Sequence, residues 1–120
     1  LNEPNDKLTA RLWNDLRIEV LKRIRQTNPD RNVIIGPADW NSLYKLNELK
    51  LPEDDRQIIV TFHYYLPFQF THQGAEWVEG SAAWLGTTWT GTPAQHSALE
   101  RDLDQAARWA EKNSRPLPAG

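Results

Sequence analysis

The chain has 120 residues, about one domain, and with 39% hydrophobic and 25% charged residues it can bury a core rather than stay disordered. Fourteen Lys+Arg against sixteen Asp+Glu give a net charge of −2 with no long run of one sign, which argues against a nucleic-acid partner. Absence of cysteine excludes disulfides, thiolate zinc sites and cysteine nucleophiles. No apolar run nears the roughly twenty residues of a membrane span, and Leu1-Asn2-Glu3-Pro4 lacks the basic start of a signal peptide.

From Thr9, a plausible N-cap, Leu12, Trp13, Leu16, Val20, Leu21 and Ile24 recur at helical spacing and predict a helix closed by Pro29. Lys22, Arg23 and Arg25 complement the negative end of its dipole. Asn32 to Gly36 is a short, β-branched apolar run, the pattern of a parallel strand buried on both faces. Leu43, Leu46 and Leu49 mark a short helix from Trp40 to Leu49, after which Glu53-Asp54-Asp55 reads as a solvated acidic turn. Gln57 to Tyr65 is the strongest strand signal. Residues 66 to 92 have no periodicity yet hold Phe68, Phe70, His72, Trp77, Trp84 and Trp89, which indicates an ordered functional loop. The last helix opens with Thr92 as N-cap and Pro93 in the first helical position, and Leu99, Leu103, Ala106, Ala107 and Ala110 line one face. The tail from Arg115 to Gly120 carries two prolines and does not read as a central strand.

Helix, strand, helix, strand, loop, helix is the alternation of βαβ units, so the fold class is α/β with parallel strands and flanking helices. Two clear strands make a poor sheet, and the chain reads as part of something larger. In such proteins ligands bind at the carboxyl ends of the strands. Asn2 and Glu3 stand there, with Asp39, Trp40 and Asn41 after the second strand, and His63, Tyr64 and Tyr65 after the third. His72 and Trp77 follow in the loop. One carboxylic acid beside an amide, imidazoles and flat rings suit a sugar, with its apolar faces and hydroxyl edges. Trp13 and Trp109 are assigned to packing and His96 to the surface. His63, His72 and Asp39 match no metal-ligand spacing, so neither metal nor cofactor is expected.

These residues also carry a resemblance. Leu1-Asn2-Glu3-Pro4 resembles the Asn-Glu-Pro signature at the end of the fourth barrel strand in glycoside hydrolase family 5 cellulases. His63-Tyr64-Tyr65 is similar to the family's His-x-Tyr motif after the sixth strand, and Phe68 to Val78 resembles a loop of its thermophilic bacterial endoglucanases and mannanases. The resemblance runs from Leu1 to about Pro116. It implies that residues 1–120 are part of a (β/α)8 TIM-barrel catalytic domain, from the end of strand four to helix six, with strands one to three and seven to eight absent.

What the resemblance implies for function is a retaining endo-β-1,4-glucanase acting on β-1,4-linked glucan, with mannan left open as the alternative polymer. Glu3 would be the general acid/base, Asn2 the partner of the sugar 2-hydroxyl, and His63 and Tyr65 residues of the reaction centre. His72, Trp77 and Trp40 would bind substrate. The family's nucleophile, a Glu in a Gly-Glu-Phe-Gly type motif on strand seven, has no counterpart here. Asp39, Glu76 and Glu79 do not meet the geometry the mechanism requires, so the isolated chain is expected to be inactive or nearly so. Two other readings remain: a non-catalytic carbohydrate-binding half-barrel, and a βα piece that forms homo-oligomers through open sheet edges. Since the polymer cannot enter a cell, the resemblance implies secretion.

Overall fold

Thr9 opens helix α1 (Ala10–Thr27), its hydroxyl accepting the Leu12 amide at 3.4 Å. The computed structural model describes residues 2–118. Its contacts divide them into two units, one made by the chain up to Tyr64 with the stretch from Gln105 onward, the other by Tyr65–Asp104.

In the first unit α1 buries Trp13, Asn14, Arg17 and Leu21, which recur at helical spacing. Leu12, Leu16 and Val20, expected on the core stripe, are 41–48% exposed. The apolar residues of α1 cover more than one face, and the face against the sheet is selected by a specific bond. The Trp13 indole N–H donates to Gly36 O at 2.8 Å, at the end of β1 (Val33–Ile35).

Strand β1 pairs with β2 (Ile58–Val60) in parallel, Val33 opposite Ile58 and Ile35 opposite Val60, as the βα alternation requires. Ile35, Ile58, Val60 and Phe62 point into a core that also holds Trp13, Leu21, Leu43, Leu46, Ala106 and Trp109. The expectation that β1 is buried on both faces fails at Ile34, which is 67% exposed. Its side chain faces a groove that Leu16, Val20 and Ile24 also line, and among the described residues β1 pairs with β2 alone. The other side of β2 is covered by the proline-rich tail. Pro116 O accepts from Val60 N at 3.0 Å and Pro118 O from the Thr61 hydroxyl at 3.4 Å. Proline keeps its carbonyl when it loses its donor, so the tail can lie along this edge as an acceptor.

The leucine spacing of three after β1 produces a 3₁₀ helix, Leu43–Glu48, because three residues make one turn of that helix. It is preceded by a single turn, α2 (Ala38–Asn41), inside which Asp39 and Trp40 are left-handed. Trp40 therefore does not begin the helix.

Asp55 is not merely solvated. The Arg25 guanidinium grips its carboxylate at 2.8 and 3.1 Å and also donates to the main-chain oxygens of Asn28, Arg31 and Gln57. The Arg25 hydrogen bond holds the Asp55 carboxyl below its ordinary 3.8. A carboxyl lowered in the folded state contributes stability above its unfolded value and loses it as pH falls through the folded one. Arg25→Ala is expected to cost about 2 kcal/mol at neutral pH and to move the acid-unfolding midpoint to higher pH. Urea titrations at pH 7 and pH 3 check this, since the gap between the proteins should narrow at the lower pH.

Arg17 is buried too. Its Nη2 donates to Asn14 Oδ1 and to Lys50 O, whereas Nε and Nη1 find no partner, and burial pushes the group down to about 10.

The second unit is an aromatic loop with little regular structure: the one-turn helix α3 (Phe68–Thr71) and a 3₁₀ turn at Ser81–Trp84. Side chains take the place of a sheet ladder. Gln73 donates to Phe70 O and Thr87 O and accepts from Gly86 N, while Ser81 O accepts from Gly74 N. Helix α4 (Pro93–Asn113) starts in this unit with a reciprocal cap. The Thr92 hydroxyl accepts from Gln95 N at 3.3 Å, and Gln95 Oε1 accepts from Thr92 N at 2.9 Å. Its buried line is Asp102, Ala106 and Trp109, whereas Leu103 and Ala107, expected on the inner face, are exposed.

Candidate active site

Glu3, Asp39, Trp40 and Asn41 all carry positive φ, between 47° and 60°. Non-glycine residues enter this region rarely, and when they do the surrounding structure holds them there. Here Asn5 Nδ2 donates to Glu3 O at 2.8 Å and Trp40 N donates to Pro4 O at 3.2 Å, tying residues 3–5 to the tip of β1.

The strained backbone aims side chains at one another. Glu3 Oε1 lies 2.6 Å from His63 Nδ1, a short hydrogen bond. Asn41 Nδ2 lies 3.2 Å from His63 Nε2, and Asn41 O accepts the His63 amide at 2.9 Å. His63 is held again by an isolated parallel bridge to Ser42. The Glu3 side chain is 30% exposed and that of His63 15%, so the carboxyl is sheltered yet reachable from solvent. Such a carboxyl can give a proton to a ligand and take it back.

Of the other first-unit residues singled out from sequence, Asn2 is exposed and Trp40 half exposed. A groove of about 540 Å³ touches Asn2, Asn41 and His63 together with Trp13, Leu16, Val20, Ile24 and Ile34, and Glu3 does not line it. It runs along β1, and of the substrate-binding residues expected from sequence it includes Asn2 but not Trp40.

In the second unit the structure brings Tyr65 and His72 together. The His72 ring stacks on Phe68 with centroids 4.0 Å apart and meets Tyr65 edge-on at 5.2 Å. The Thr71 hydroxyl lies 2.8 Å from His72 Nδ1 and donates to Tyr65 O at 2.6 Å. Trp77 is 82% exposed and presents a bare ring. His96 is on the surface, as expected, with Trp89 against its edge. Among the described residues no three His, Asp or Glu gather as a metal site.

Asn41 is the residue that sequence reasoning passed over. It stood in the set of strand-end residues, yet nothing local distinguishes an amide that contacts an imidazole twenty-two residues away.

Residues 1–120 match the family described as Cellulase (glycosyl hydrolase family 5). The chain is 39% identical over 120 residues to endoglucanase H of Acetivibrio thermocellus, spanning all of this chain and 12% of that protein. It superposes on Thermotoga maritima Cel5A solved with mannotriose at a TM-score of 0.94 and 45% identity, covering 100% of this chain and 39% of that one. On the same protein with cellobiose the TM-score is 0.93 and the identity 46%, covering 98% and 38%. The expected architecture, parallel strands and helices forming part of a (β/α)8 barrel, is borne out by this likeness. Matched along its whole length and superposed this closely, the chain belongs to the cellulase family, glycosyl hydrolase family 5.

Proposed function

We propose that these residues supply the acid/base half of a retaining endo-β-1,4-glucanase, with Glu3 as the general acid/base. The carrying observation is the 2.6 Å contact between Glu3 and His63 at the strand tips. In the first step the Glu3 carboxyl protonates the glycosidic oxygen as the bond to the sugar carbon breaks. In the second, its carboxylate takes a proton from the water that releases the sugar. The carboxylate that attacks the sugar carbon, roughly 5 Å from the acid in retaining enzymes, is not assigned within these residues.

Asn2 holds the sugar 2-hydroxyl, Tyr65 acts with His63 at the reaction centre, and His72, Trp77 and Trp40 receive sugar rings. The cellobiose and mannotriose complexes of the Thermotoga relative support a β-1,4-linked gluco- or manno-oligosaccharide as substrate. A polymer of this kind stays outside the cell, which supports a secreted enzyme. The exposed edge of β1 favours self-association of the isolated chain.

The test is reducing-end release from soluble cellulose by the enzyme that carries this segment, with Glu3→Gln beside the wild type. Unchanged turnover in the variant refutes the reading. Trp77→Ala is expected to raise KM about tenfold through lost ring stacking. Because the side chain is 82% exposed, its melting temperature should not move.

A further inference from the structure

We propose that Asn41, seated in a notch left by Gly36, is a positioning residue that fixes His63 as the neutral tautomer protonated at Nδ1. Its use in catalysis rests on the acid/base reading of Glu3.

The ring has a partner at each nitrogen: Glu3 Oε1 at 2.6 Å from Nδ1 and Asn41 Nδ2 at 3.2 Å from Nε2. An amide NH₂ only donates, so Nε2 must present its lone pair to Asn41. A neutral imidazole has one N–H, which is then at Nδ1 and donates to Glu3. The carboxyl is oriented through Oε1, and its second oxygen is left for the glycosidic oxygen.

What keeps the amide in place is the missing side chain at position 36. A Cβ on Gly36 would stand 2.2 Å from Asn41 Oδ1 and 2.4 Å from its Cγ. Gly36 is itself pinned by the Trp13 indole N–H on its carbonyl. Asn41 is 4% exposed and has φ 58°, a left-handed conformation that asparagine tolerates. Its main-chain oxygen also accepts the His63 amide, so one residue grips both the ring and the backbone of His63.

The ¹⁵N spectrum of the histidine rings in this chain tests the proposal, with His63 assigned by the signals lost in His63→Gln. The expected wild-type ring is protonated at Nδ1 only, with a coupling through the hydrogen bond between Nε2 and Asn41 Nδ2. Gly36→Ala and Asn41→Gly should abolish that coupling. Glycine accepts the left-handed backbone at position 41, which keeps the second variant folded. Asn41→Asp, turning a carboxylate to Nε2, should add a second ring proton. A wild-type ring protonated at Nε2, or a ring spectrum unchanged in Gly36→Ala and Asn41→Asp, overturns the proposal. The readout needs no turnover. The expected tautomer together with full activity in Glu3→Gln removes the acid/base reading alone, whereas the wrong tautomer with activity lost in Glu3→Gln removes this proposal alone.

Discussion

Glu3→Gln in the enzyme that carries this segment is expected to lower kcat on cellulose by about 10²–10⁴-fold, with KM little changed. Glutamine keeps the length of the side chain and an oxygen that can accept from His63 Nδ1, so the contact seen at 2.6 Å survives the substitution. What disappears is the proton for the leaving sugar. An aryl glycoside whose leaving group departs as a stable anion needs no such proton, and with it the glycosylation step should recover most of its rate. Glycosylation slowed alike on both substrates, read from the burst of released aryl alcohol rather than from steady-state kcat, which also carries the base-assisted second step, would mean that the variant had disturbed the site rather than removed an acid.

Ile58→Ala should be the most damaging truncation in the sheet, costing about 3–4 kcal/mol. Ile58 has no exposed surface and sits at the start of β2, opposite Val33, packed in the core with Ile35, Val60 and Phe62. Against a total of about 5–15 kcal/mol for a domain, that is a large fraction. A urea titration reads it as a lower midpoint at unchanged slope. Ile34→Ala, one strand away on the 67% exposed face, should stay within about 0.5 kcal/mol. Equal losses at both positions would mean that β1 is covered on its outer face.

Elements whose chemistry is local were legible in the chain. Thr9 and Thr92 accept from amides three residues away, so their spacing alone announces a helix start. The strand tips were legible because a parallel sheet puts its chemistry there whatever its details. Burial was less so. Leu12, Leu16, Val20 and Leu103 satisfy helical periodicity as well as the residues that are buried, and only the position of the sheet decides between them. The Arg25–Asp55 pair, thirty residues apart, left no mark in either segment.

The amino-acid order by itself determined helix starts, the parallel α/β class and the family signatures at residues 2–4 and 63–65, since each depends on neighbours along the chain. Tertiary structure decided which helical faces are covered, that Asp55 is clamped, and that Glu3, His63 and Asn41 form one hydrogen-bonded line. Sixty residues separate Glu3 from His63. Their approach is enforced by the pairing of β1 with β2 and by left-handed turns at the strand tips, neither of which any short window of sequence can express.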